Sequence, residues 1–155
     1  MLSVHVAETI RCTPDELLEF VMDIERYAEV DRKIQPIRWS RREGNLLEFA
    51  CRPKLAGLRQ PTVVQQVRLT PGERIDITLS PRPHNRIAHA MASFDAHFEA
   101  TATEGGTRVV RTLNFRFAPA VRWLLEPILR RRLPAEVRAE VSLAKQHLEG
   151  GATPA

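Results

Sequence analysis

The chain has 155 residues, 43% hydrophobic and 27% charged, with 23 basic against 19 acidic side chains. These values exclude a disordered chain and suit one domain, large enough to bury a core and to enclose a cavity if its sheet curves. The net charge of +4 is scattered among acids, and no basic stripe interleaved with aromatics appears, which argues against nucleic acid as a partner.

Leu2 to Arg11 alternates, with Leu2, Val4, Val6 and Ile10 on one parity, and predicts a first strand. Thr13-Pro14-Asp15-Glu16 predicts a helix start, with Thr13 as cap, Pro14 in the first helical position and Glu16 closing a capping box. Leu17, Leu18, Phe20, Val21 and Ile24 give that short helix an apolar face, and a second short helix or turn follows through Tyr27 to Val30. Lys33 to Arg42 is broken by Pro36 and predicts an irregular or edge strand. A turn at Glu43-Gly44-Asn45 leads to a strand over Leu46 to Arg52, then a loop from Pro53 to Pro61. Further strands are expected over Thr62 to Leu69 and Arg74 to Leu79, joined by a tight turn, and a proline-broken loop covers Ser80 to Asn85. Arg86 to Ala100 is expected as one long strand. Its large side chains change parity between Met91 and Phe94, which suggests a bulge near Ala92-Ser93.

The last strand is expected over Thr107 to Phe117. Beyond it a helix should span most of 119 to 148, with Val121, Leu124, Leu125, Ile128, Leu129, Leu133, Val137, Val141, Ala144 and Leu148 as an apolar stripe. Pro134 predicts a kink or break near Leu133. Strands joined by short turns pair antiparallel, so the fold class is α+β: seven antiparallel strands curved round a long C-terminal helix, with two short helices after the first strand. The ligand-binding domain should cover residues 1–149, and 150–155 should form a flexible tail.

Several side chains are candidates for chemistry. Glu8 and Arg111 share the inward parities of the first and last strands, which should be neighbours. A buried guanidinium needs a carboxylate, so the two could pair and anchor a ligand carbonyl or carboxylate. Tyr27, the only tyrosine, could donate to a ligand oxygen. The cavity should be lined by Phe94, Phe98, Val109, Leu113, Phe115, Leu125 and Leu129, with Ala96 leaving room between two phenylalanines. The histidines at 5, 84, 89, 97 and 147 show neither metal spacing nor a Ser–His–Asp pattern, so no metal, cofactor or assigned catalytic residue is expected. Cys12 and Cys51 read as small core or half-buried residues of a reduced cytoplasm. No export signal or membrane span is legible. The loop Arg52 to Arg59 sets Leu55 and Leu58 among cations and suits contact with an anionic membrane or a cavity lid.

Cys12-Thr13-Pro14-Asp15-Glu16-Leu17-Leu18-Glu19-Phe20-Val21 and Asp23-Ile24-Glu25-Arg26-Tyr27 resemble the START-like superfamily with the helix-grip fold. Gly105-Gly106-Thr107-Arg108-Val109 and Leu113-Asn114-Phe115-Arg116-Phe117 look most like its coenzyme-Q-binding and polyketide cyclase/dehydrase branch. The resemblance covers residues 2 to 149 and departs at Ala96, where members often carry an aromatic. It implies binding or transport of a hydrophobic small molecule such as a lipid, quinone or polyketide; the alternative is an aromatase/cyclase-type enzyme acting on a polyketide chain. The resembling motifs are structural and name no ligand.

Overall fold

A computed structural model describes residues 2–55, 57–81 and 85–151. The chain opens with β1 (Leu2–Ile10), α1 (Pro14–Met22) and α2 (Ile24–Tyr27). The capping box at α1 is complete: Glu16 N–H donates to Thr13 Oγ1 at 3.1 Å, and Thr13 N–H to Glu16 Oε1 at 3.4 Å. A 3₁₀ turn over Arg32–Ile34 and a cis Gln35–Pro36 peptide lead into β2 (Ile37–Glu43). There follow β3 (Leu46–Cys51), a small hairpin of β4 (Lys54–Leu55) and β5 (Leu58–Arg59), β6 (Val63–Thr70) and β7 (Arg74–Leu79). Then come α3 (Arg86–Met91), β8 (Ala92–Thr103), β9 (Gly106–Phe117) and α4 (Pro119–Gly151).

Seven strands form one antiparallel sheet in the order β1-β9-β8-β7-β6-β3-β2. Two edges therefore exist, and the proline-flanked β2 occupies one, where a missing backbone donor costs least. The β8–β9 turn needs glycine at 106: φ is +128°, and a Cβ there would lie 2.2 Å from the Ile10 carbonyl oxygen. That close approach seats the turn against the end of β1, and Thr107 Oγ1 donates to the Cys12 carbonyl at 2.7 Å. Helix α4 packs on β1 and β9, with Leu129, Leu133, Val137, Val141 and Ala144 buried beneath it.

Four expectations are corrected. Residues 86–91 form a helix, not the start of β8. Ala88, Ala90 and Met91 favour helix, so the parity change before Phe94 marks a helix end and no bulge is needed. Helix α4 does not break at Leu133-Pro134 but continues with Pro127 and Pro134 inside it. Buried Leu133 and Val137 flank Pro134, and their packing outweighs the lost backbone bond. Leu124 and Ile128 are exposed and do not join the buried stripe. Gly150 and Gly151 continue the helix, and the rest of the expected tail, together with His84, lies outside the described residues. Cys12 and Cys51 are free thiols. Among the described residues, no helix is long and apolar enough to cross a membrane.

Candidate functional site

A cavity of about 420 Å³ opens on the concave side of the sheet, within the range usual for small-molecule sites. Its walls are mainly apolar. Phe49, Val67, Ile77 and Leu79 come from β3, β6 and β7, and Phe94, Leu113, Phe115 and Phe117 from β8 and β9. Val21 and Ile24 close one side; Ala88 and Met91 of α3, Pro53, Gln60 and Pro61 of the hairpin loop, and Leu125 of α4 surround the mouth. The cavity thus lies further toward the middle of the sheet than expected, and α4 contributes Leu125 alone among the described lining.

The polar wall is a buried cluster that draws on four segments. Glu140 sits in the apolar stripe of α4, three residues after Val137 and four before Ala144, so the helix carries it inward. Arg111 projects from the inner face of β9, and Glu140 Oε2 accepts from its Nε at 3.2 Å. Lys33 is turned inward by the 3₁₀ turn, which Asp31 caps by accepting from Lys33 N–H at 3.1 Å. Lys33 Nζ then donates to Asp31 Oδ1 at 2.8 Å and to Glu140 Oε1 at 2.6 Å. The Tyr27 hydroxyl donates to Glu140 Oε2 in a short hydrogen bond. Glu140 is 2% exposed and Arg111 4%. Tyr27, Asp31, Lys33 and Arg111 all border the cavity.

Charge in this cluster is balanced, with two cations against two carboxylates. Burial alone would push the Glu140 carboxyl up, but the Arg111 and Lys33 charges, with the hydrogen bonds from Lys33 and Tyr27, hold it below the usual range. Burial raises Asp31, the Glu140 charge adds to that, and Lys33 opposes it. Burial would lower Lys33 and Arg111, yet the facing carboxylates outweigh it and both lie above their ordinary values. The Tyr27 phenol is pushed well above 10, first by burial and then by the Glu140 charge. The Arg111 guanidinium lies 4.2 Å from the Phe98 ring centre, a cation–π contact, and the Phe98 ring meets Tyr27 edge-on at 5.7 Å. Among the described residues one buried donor is left over: Arg111 Nη1 has no hydrogen-bond partner.

Of the residues singled out in the sequence, Tyr27, Phe94, Arg111, Leu113, Phe115 and Leu125 border the cavity. Phe98 stands behind it, holding Arg111 and Tyr27. Val109 of β9 and Leu129 of α4 are buried in the core, and Ala96 is buried too but is not among the cavity lining. Glu8 is not the partner of Arg111. In the β1–β9 register Val6 stands opposite Arg111 and Glu8 opposite Val109, and the Glu8 carboxylate accepts from Lys145 Nζ of α4 at 3.3 Å. The parity of Glu8 was readable, whereas the helix that covers it was not placed. Sequence reasoning missed Glu140, Lys33 and Asp31. A carboxylate inside an apolar helical stripe was the available signal for Glu140. Lys33 carried a weaker one, as one of only three lysines, with Lys54 and Lys145, in an arginine-rich chain. Among the described residues, no three His, Cys, Asp or Glu side chains converge to hold a metal ion.

Residues 1–149 match the family model described as polyketide cyclase / dehydrase and lipid transport. The solved structures that share the fold include the following three. A protein from Thermus thermophilus superposes with a TM-score of 0.78 at 14% identity, covering 98% of this chain and 100% of that one. The Zhui aromatase/cyclase from a Streptomyces species superposes with a TM-score of 0.73 at 15% identity, covering 99% of each chain. A START superfamily protein from Mycobacterium smegmatis gives 0.66 at 13% identity, covering 97% of this chain and 99% of that one. At these identities the likeness concerns the fold alone. No curated protein matches the sequence.

Proposed function

We propose that this chain, which belongs to the polyketide cyclase / dehydrase and lipid transport family, binds a largely apolar small molecule through one neutral carbonyl. The observation that carries this reading is Arg111, which borders a mainly apolar cavity and whose buried Nη1 has no hydrogen-bond partner. A buried donor without an acceptor costs about 1–3 kcal/mol, more when charged, and a ligand oxygen would remove that cost. The ligand should be neutral, because Lys33, Arg111, Asp31 and Glu140 already cancel. A carboxylate would bring an unbalanced charge into a dry site, at a penalty of several kcal/mol. A ketone, quinone or ester meets the requirement, and the apolar walls take the rest of the molecule at about 25 cal/mol per Å² before ordering costs.

The test is a matched series. Long-chain methyl ketone, alkane and fatty acid of equal length are titrated against the protein, after mass spectrometry of whatever the purified protein carries. The ketone should bind about tenfold tighter than the alkane, and the fatty acid no tighter than the ketone. Arg111→Lys keeps the charge facing Glu140 but removes Nη1, so it should abolish the ketone preference. Equal binding of ketone and alkane, or tightest binding of the fatty acid, would overturn the reading.

The second reading is an aromatase/cyclase-type enzyme on a polyketide chain. Its support is that the Tyr27 hydroxyl and the Lys33 ammonium share the wall that holds Arg111. Against it, the Tyr27 proton is engaged by Glu140, and burial with the Glu140 charge for Tyr27, and the facing carboxylates for Lys33, hold both groups above their ordinary values, whereas an efficient proton shuttle is tuned toward the working pH. Turnover of a poly-β-ketone chain that is lost in Tyr27→Phe would favour this reading over simple binding.

A further inference from the structure

We propose that the cavity mouth docks on an anionic lipid bilayer, with the outer face of the first turns of α4 inserted at the interface. Trp123 is 73% exposed and Leu124 52%, and Ile128 is exposed beside them. At 100° per residue these three, with Pro127 and Arg131, share one side of α4, opposite to Leu125 and Leu129. The helix is therefore apolar on two faces here, and only one of them meets the protein. Exposed apolar residues also occur on two other segments that contribute to the cavity lining. Ile87 of α3 borders the cavity and is 67% exposed, and Leu58 of the hairpin is exposed. These segments are joined at the mouth. Ala118 N–H, just before α4, donates to the Met91 carbonyl at the end of α3 at 2.8 Å. The hairpin turn at Gly57 lies against Arg132, whose Nη1 is 3.3 Å from where a Cβ on Gly57 would sit.

The charge of this rim selects the occupant. Residues 52–60 and 86–91 contain no acid, and residues 118–135 contain only Glu126, which pairs with Arg130. Lys54, Arg59, Arg122 and Arg131 are exposed among the apolar side chains. A ring of apolar side chains with cations between them fits a surface that presents phosphates outside and an apolar phase beneath. Trp123 suits the boundary between the two. Leu55 occupies the same hairpin, but its side chain lies outside the described residues.

The test is flotation with vesicles of phosphatidylcholine alone and of phosphatidylcholine mixed equally with phosphatidylglycerol. Anionic vesicles should bind at least about tenfold tighter, because each cation at the surface contributes severalfold, and roughly 1 M salt should release the protein. Trp39→Phe leaves Trp123 as the sole tryptophan, whose emission should shift to the blue on binding. Trp123→Ser with Leu124→Ser, and separately Arg131→Glu, should each weaken flotation about tenfold. Thermal unfolding should be unchanged, because these side chains are exposed. Absence of flotation with anionic vesicles overturns the proposal. So does flotation that survives the double serine variant. If the protein never floats but the rim variants abolish a soluble complex with an acidic protein, the occupant is that protein and the membrane proposal fails.

Discussion

Removing Glu140 and Arg111 together should cost much less than the two single losses added. The Glu140 carboxylate accepts from Tyr27, Lys33 and Arg111 and is almost wholly buried, so solvent cannot take its place. Glu140→Leu leaves two cations in the interior with Asp31 as the carboxylate they must share. Breaking a buried ion pair from one side costs about 3–5 kcal/mol. For a domain of this size that lowers the Tm by roughly 6–20 °C. Arg111→Leu should cost a similar amount, because Glu140 then keeps Lys33 but loses its second cation. In the double variant Lys33 and Asp31 remain as a balanced pair at 2.8 Å, and two apolar side chains fill the space. Its loss should therefore fall below the sum of the singles by about 2 kcal/mol or more. Urea unfolding of the four proteins at neutral pH, followed by tryptophan fluorescence, measures this. Additive losses within about 0.5 kcal/mol, or a Glu140→Leu loss below about 1 kcal/mol, would refute the claim that the charges act as one buried network.

Alkaline pH should destabilise the protein through the same cluster. Tyr27 and Lys33 are both raised in the folded state, from 10.0 and 10.5. Their contributions are fully present below those unfolded values and are lost as pH rises through the folded ones. Tyr27→Phe should flatten the fall in urea midpoint above about pH 10, and an unchanged slope would remove Tyr27 from the account. The acid side should respond less. Glu140, lowered from 4.5, loses its contribution as pH falls through its folded value, while Asp31, raised from 3.8, acts in the opposite sense. Ala88→Trp places a large ring at the cavity mouth on a half-buried helix. Affinity for an apolar probe, measured by fluorescence titration, should fall by about tenfold with the fold intact. Gly106→Ala drives a methyl into the Ile10 carbonyl at a φ that alanine disfavours, and should lower the urea-derived stability by about 2 kcal/mol or more.

The fold was legible because its signals are local. Thr13 to Glu16 names a helix start in four residues, and Glu104-Gly105-Gly106 joins two alternating strands in register. Both depend on backbone groups and near neighbours, which sequence spacing reports directly. Residues 86–91 failed the same reading because Ile87, His89 and Met91 alternate as a strand would. Alternation over so short a run does not separate a strand from a one-and-a-half-turn helix, and only the alanines between them pointed the other way. At Pro134 the expected break does not occur: the local rule is sound, but tertiary packing at Leu133 and Val137 keeps the helix continuous through it.

The site was harder to read because its members are non-local and its logic is electrostatic. Arg111 could be identified from parity alone, since a guanidinium on an inward strand face needs an anion. Parity does not say which anion, and it led to Glu8, whose inward face is covered by α4 and served by Lys145. The correct partner stands 29 residues away in sequence, on a helix whose apolar stripe disguises it. A stricter question finds it: which carboxylate occupies an apolar period with no cation three or four residues away on its own helix? Glu140 meets that condition, since Glu136, Val137, Leu143 and Ala144 stand at those positions. Its cations had to come from other elements. Burial of one carboxylate thus required both Arg111 and Lys33, and the second cation required Asp31. Among the described residues, this sequence of compensations leaves Arg111 Nη1 as the one buried side-chain donor without a hydrogen-bond partner, on a residue that borders the cavity.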